Sequence, residues 1–144
     1  MVSIFILEFL TFKILISFKN KLLISEDKKD IVEVISTNGC EICCDNKPMK
    51  ELVANSTDAA QEKHVPQFQI NGNIVKVDVG SVKHPMEEAH SIVWVHIVTN
   101  QGTQRKYLKP NTEPVIQFAL CPDEQLQEVY AYCDLHGLWM TKAQ

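Results

Sequence analysis

The chain has 144 residues, of which 45% are hydrophobic and 22% charged, and its net charge is −4. That length suits one domain of ordinary size with a small appendage, and a core of that size is stable without disulfide staples. The acidic balance excludes a general nucleic-acid footprint, although a local positive patch remains at Lys63 and at Lys83 beside His84.

The first 24 residues are rich in Ile, Leu and Phe, interrupted by Glu8, Lys13, Lys19 and Lys21. No uncharged run there approaches the roughly 20 residues a spanning helix needs, and no basic segment precedes the apolar stretch as in a secretory signal. The segment reads as extra packing or as an early start, with a membrane-associated tail and a signal as the weaker readings. Residues 12–19 alternate loosely, as a strand does. Residues 31–36 form a β-branched run that ends at the turn signal Asn38-Gly39. A polar stretch follows, and residues 57–63 suit a helical turn capped by Thr57 or Asp58. From Val65 onward the pattern is β. Residues 67–70 and 74–79 flank Asn71-Gly72, a strong hairpin signal. Val75, Val77 and Val79 alternate with Lys76 and Asp78, so that strand has one buried and one wet face. Residues 91–99 are nearly all apolar, which marks a central strand covered on both sides. Residues 103–108, 115–120 and 128–133 supply further strands. Short strands joined by turn residues predict an all-β antiparallel sandwich.

Four of the five histidines and one of the five cysteines lie in three short clusters. These are Glu62-Lys63-His64-Val65-Pro66, His84-Pro85-Met86 with His90, and Tyr132-Cys133-Asp134-Leu135-His136-Gly137. Pro66 pushes Val65 toward an extended backbone, so His64 is expected on a loop. Gly137 permits the tight turn that a Cys-x-x-His pair needs. A lone histidine near proline is usually a surface residue, and a lone strand cysteine usually a small core residue. Their joint placement is what argues for a metal. Four imidazoles and a thiolate exceed the four ligands of a structural zinc and suit an iron that keeps one position free. The odd cysteine count matches no secreted disulfide framework, so the chain reads as cytoplasmic, its thiols reduced or metal-bound.

The three clusters resemble the signature of superoxide reductases, the iron domain shared by neelaredoxins and desulfoferrodoxins. The matching stretches are residues 62–66, 79–90 and 132–139, with Tyr107-Leu108-Lys109-Pro110 between them. The resemblance implies an immunoglobulin-like β-sandwich that carries one mononuclear iron. It implies His64, His84, His90 and His136 as equatorial nitrogens and Cys133 as the axial thiolate. Glu62 would be the sixth ligand in the ferric state, and Lys63 the basic residue beside the open face. The implied activity is one-electron reduction of superoxide to hydrogen peroxide, with a rubredoxin-like protein as electron donor and a dimer or tetramer as the assembly. No membrane or nucleic-acid partner is expected. A non-catalytic metal-binding β-domain, or an iron electron-transfer protein, is the alternative.

The resemblance extends to a degenerate desulforedoxin-like segment. Cys43-Cys44 matches the later pair of a four-cysteine iron centre, but Ser25 and Lys28 fall near where the earlier pair would be. A second iron centre is therefore expected to be absent, despite the extra thiol of Cys40. The expected organisation is an N-terminal extension over 1–30, the remnant segment over 31–56 and the iron domain over 57–144. Asp134 stands where the family usually has Asn, and a carboxylate beside the thiolate is expected to lower the iron potential. His96 lies six residues beyond His90, about 20 Å at strand rise, and is read as non-ligating. Cys121 is read as structural or free.

Overall fold

The computed structural model describes residues 21–143; the alternation noted over 12–19 lies outside the described residues. Leu22 and Leu23 are buried, and both sit on β1 (Lys21–Ile24). β1 pairs with β2 (Ile31–Val34). Beyond them come the hairpin of β3 (Cys43–Cys44) and β4 (Lys47–Pro48), and then β5 (Lys50–Glu51), which pairs with the other edge of β1. The polar stretch leads to a single helical turn, α1 (Gln61–His64). Its N-cap is Ala60, with no side-chain cap bond, so neither Thr57 nor Asp58 caps it. His64 is accordingly the last residue of a helical turn, not part of a loop.

β6 (Pro66–Asn71) and β7 (Ile74–Val79) form the expected hairpin. Asn71 pairs with Ile74, so the two loop residues are Gly72 and Asn73, one place beyond the expected turn, with Gly72 at φ +61°. Glycine carries that positive φ without a Cβ clash. Val75, Val77 and Val79 are buried, while Lys76 and Asp78 form a partly exposed ion pair. β8 (Ile92–Thr99), β9 (Thr103–Tyr107), β10 (Val115–Ala119), β11 (Leu126–Cys133) and β12 (Gly137–Lys142) complete the fold. One sheet has the order β10-β7-β6 and the other β12-β11-β8-β9. All their pairings are antiparallel, as in the expected immunoglobulin-like sandwich. β12 was not anticipated, because its Gly137 start merges with the third histidine cluster.

The core between the two sheets gathers Val75, Val77 and Val79 with Val95, Ile97, Phe118, Val129 and Ala131. Each fully buried aliphatic or aromatic side chain of this kind contributes about 1.5–3 kcal/mol. The outer face of β8 is covered as well. Trp94 packs with Leu22 and Leu138, and Ile31, Leu52 and Ala54 adjoin them. The small N-terminal sheet therefore lies over the sandwich, which explains why 91–99 lacks a polar face. Arg105 donates to Glu33 at 2.9 Å across the same junction. Near the site the ladder slips: Tyr132 pairs with Trp94, but Cys133 pairs with Ile92, so Val93 is extra. This bulge turns Ile92 inward and sets the strand end that leads back to His90.

His96 lies beneath this junction, 1% exposed, with no partner for either ring nitrogen. Glu33 Oε1 stands 4.0 Å from its Nε2. Burial, then Arg105, push its pKa down to about 4, against a smaller upward pull from Glu33. The folded pKa lies below the unfolded value, so folding favours the neutral ring. The corresponding stability is fully present above about pH 6.5 and is lost as pH falls toward 4. At 1.36 kcal/mol per pKa unit this amounts to about 3 kcal/mol. Wild type is expected to lose about 2–3 kcal/mol more than His96→Phe between pH 7 and pH 4.5. Urea unfolding of both proteins at the two pH values measures this, and equal losses would refute it.

Candidate metal centre

Three segments bring their side chains to one end of the sandwich. α1 ends at His64, whose Nδ1–H donates to Ala60 O at 2.7 Å. That bond makes Nε2 the acceptor nitrogen, turned inward toward His136. The 84–90 loop leaves β7 and returns to β8, closed by two backbone bonds between Glu87 and His90. His84 Nδ1 donates to Pro85 O at 2.5 Å, which leaves Nε2 as its inward nitrogen. The β11–β12 turn carries Cys133 and His136 and ends at Gly137, whose φ is +77°. The His136 backbone N–H donates to Cys133 Sγ at 3.4 Å.

His64, His84, His90, Cys133 and His136 form one group, their ligand atoms all within 4.8 Å of one another. The rings follow one another in a square. Neighbouring centroids lie 4.6 Å apart for His64–His84, 4.6 Å for His84–His90, 4.8 Å for His90–His136 and 4.7 Å for His136–His64. Each neighbouring pair is steeply inclined, between 76° and 88°. His64 and His90 face each other across a diagonal of 6.1 Å. Cys133 Sγ lies 3.7 Å from His136 Nδ1, and His64 Nε2 lies 2.9 Å from that same nitrogen.

The donor set fits a metal. His84 Nε2 and His90 Nε2 are buried without a hydrogen-bond partner, and such an orphan costs about 1–3 kcal/mol. Bonds of about 2.1 Å would put opposite nitrogens about 4 Å apart, within the observed spread. Burial pushes the His84 pKa down to about 4 and lowers that of His64, so both are neutral ligands at pH 7. Burial pushes the Cys133 thiol up, while the backbone N–H groups of His136 and Leu135 pull it down. A cation at the centre would supply the remaining stabilisation of a thiolate. Five donors, four imidazoles and one sulfur, exceed the four of a tetrahedral structural zinc.

The other sequence candidates are placed differently. Glu62 and Lys63 are exposed on α1, and Glu62 is not in the five-residue group. The Glu62 carbonyl accepts Val82 N–H at 2.9 Å and the Ser81 hydroxyl at 3.3 Å. Lys83 is paired with Glu113, so its charge is compensated. Lys63 enters no ion pair among the described residues. Asp134 Oδ1 lies 3.9 Å from Cys133 Sγ. Cys40, Cys43 and Cys121 are exposed and Cys44 is half-buried, all four as free thiols. Ser25 is buried, accepting the Asp30 N–H at 3.0 Å and donating to Asp27 at 2.7 Å.

Trp139 was not assigned a role from sequence. It is 1% exposed and stacks on His64 with centroids 4.8 Å apart, which locks that imidazole in place. Its position in the third motif was the available signal. Gly80 was missed too: a Cβ there would meet Lys63 O at 2.5 Å. The orienting carbonyls of Ala60 and Pro85 carry no sequence signal at all.

Fold and site together define a β-sandwich with a five-donor His/Cys metal centre at one end. The desulfoferrodoxin family model matches residues 56–142. The desulfoferrodoxin of Clostridium acetobutylicum is 42% identical over 116 residues, covering 81% of this chain and 90% of that protein. A desulfoferrodoxin homolog of Archaeoglobus fulgidus is 42% identical over 112 residues, covering 78% and 88%. The crystal structure of the superoxide reductase from Treponema pallidum superposes with a TM-score of 0.70 at 36% identity, covering 84% of this chain and 98% of that one. The chain belongs to the desulfoferrodoxin family.

No helix among the described residues is long and apolar enough to cross a membrane.

Proposed function

We propose that this protein is a superoxide reductase: superoxide takes one electron and two protons and leaves as hydrogen peroxide. The observation that carries the reading is the square of four imidazole rings beside the Cys133 sulfur, a donor set that would suit an iron with room left for a small anion. Iron held there would supply the electron, and a rubredoxin-like donor would restore it. His64, His84, His90 and His136 would hold the ion by nitrogen. Cys133 would hold it by sulfur and donate electron density to it. Lys63, with no ion-pair partner among the described residues, attracts the anion by its local field despite the net charge of −4, and places a water for proton delivery. Glu62 would supply a carboxylate as a further ligand to the ion in its ferric state.

One iron per chain is part of this reading. Residues 57–144 are the iron domain, 31–56 the remnant of a lost four-cysteine centre, and 1–30 an N-terminal extension. The protein works in the cytoplasm as a dimer or tetramer. Metal analysis should find close to one iron per chain, with a visible thiolate-to-Fe(III) charge-transfer band. Pulse radiolysis of the anaerobic, reduced protein should show rapid consumption of superoxide. Close to two irons per chain would overturn the single-centre reading, and no reaction with superoxide would overturn the activity.

Lys63→Ala is expected to slow the reaction about tenfold to a hundredfold at low salt, with iron content unchanged. Because the attraction is electrostatic, the wild-type rate should fall with added salt more steeply than the variant's. Parallel salt curves would remove Lys63 from this role.

A further inference from the structure

Two ligands from separate segments, His90 and Cys133, have neighbours that are bonded to each other three times. The Ser91 N–H donates to Asp134 Oδ1 at 3.0 Å, and the Ser91 hydroxyl donates to Asp134 Oδ2 at 3.2 Å. In return the Asp134 N–H donates to Ser91 O at 3.2 Å. Ser91 is 5% exposed, so its N–H and hydroxyl are donors that burial requires to be met. This link sits beside the bulge at Val93, where the β8–β11 ladder slips and no longer fixes the register by itself. The same Asp134 Oδ1 is 3.9 Å from Cys133 Sγ, which sets a negative charge in contact range of the sulfur.

We propose that Ser91 and Asp134 are positioning residues: their paired hydrogen bonds fix His90 against Cys133, and the Asp134 carboxylate lowers the potential of the metal through the sulfur beside it. The inference rests on the five-ligand reading above. Positioning follows from the closed Ser91–Asp134 ring of bonds. Without it, two ligand-bearing segments meet only through a slipped ladder, and outer bonds of this sort typically account for 10–100-fold in metal affinity. The charge effect follows from sign alone. Oxidation adds positive charge at the metal, and a nearby anion favours that state. Asp134 is exposed, so water screens its charge on the outer side but has little room between Oδ1 and Sγ.

The two contributions separate by substitution. Asp134→Asn keeps an acceptor for the Ser91 N–H and offers an amide N–H to the Ser91 oxygen, while the charge is removed. Asp134→Ala removes both bonds, and Ser91→Ala removes only the hydroxyl bond. Apoprotein of each variant is titrated with Co(II), following the thiolate-to-Co(II) band and the affinity; the midpoint potential is measured on the iron-loaded forms. Asp134→Asn is expected to keep Co(II) affinity within about twofold and to raise the potential. Asp134→Ala is expected to weaken Co(II) binding about 10–100-fold, and Ser91→Ala to weaken it less. Ser91→Ala keeps the test open should Asp134→Ala not fold. The proposal is overturned if both alanine variants bind Co(II) like wild type, or if Asp134→Asn leaves the potential unchanged. Superoxide consumption by wild type, measured alongside, tests the functional reading separately: its failure leaves the affinity and potential results standing.

Discussion

Cys133→Ser is expected to abolish the visible thiolate-to-Fe(III) charge-transfer band and to reduce superoxide consumption by more than about 100-fold, beyond the range of an outer-sphere change. Cys133 is fully buried at the end of β11 and is the one sulfur in the group. A serine oxygen lies closer to its Cβ and stays protonated, so it neither reaches the ion as well nor donates comparable electron density. The fold is expected to persist. The sandwich core is otherwise intact, and the lost sulfur leaves a polar atom that can accept the His136 N–H now given to Sγ at 3.4 Å. Visible absorption, circular dichroism and pulse radiolysis on one preparation check all three statements. A retained charge-transfer band would show that some other thiol binds the iron.

Gly80→Ala is expected to cost about 2–4 kcal/mol and to lower Tm by roughly 10 °C. Gly80 has φ +84°, and an added Cβ would sit 2.5 Å from Lys63 O and 2.8 Å from Lys63 C, with Val82 O closer still. All three obstacles are backbone, so no rotamer change relieves them. The surrounding turn is also what holds α1. Gly80 N–H donates to Val65 O at 3.2 Å, and Val82 N–H to Glu62 O at 2.9 Å. Pushing this turn away displaces Lys63 and His64 together. The superoxide rate is therefore expected to fall even at temperatures where the variant remains folded. Gly72→Ala is the control: its φ is also positive, at +61°, but nothing lies within 4 Å of the added Cβ. It should show only the left-handed backbone cost, about 1–2 kcal/mol, and normal activity. Equal effects at the two glycines would mean that close approach to Lys63 does not matter.

The hairpin over β6 and β7, the buried face of Val75, Val77 and Val79, and the doubly covered β8 were all legible as local periodicity. Periodicity is local because side chains alternate with the strand whatever lies beyond it. Boundaries were less legible. The turn at Gly72-Asn73 and the uncapped start of α1 each moved by a residue or more, since several nearby polar residues offer similar turn chemistry. β1 and β5 were not read at all, because a short strand in a small sheet has too few residues to show a period.

The sequence by itself singled out the five side chains that the fold gathers into one group, because histidine and cysteine are scarce here and the clusters are long enough to be specific. It also determined the sandwich, through the spacing of its strands. Only the tertiary structure decided the order of the rings, His64 to His84 to His90 to His136, and which nitrogen of His64 and His84 faces inward. Those choices are made by the carbonyls of Ala60 and Pro85, by Trp139 stacked on His64, and by the slipped register at Val93. A backbone carbonyl is the same in every residue, and a register is a relation between distant strands. Neither leaves a mark in the residue types of the segment it orients.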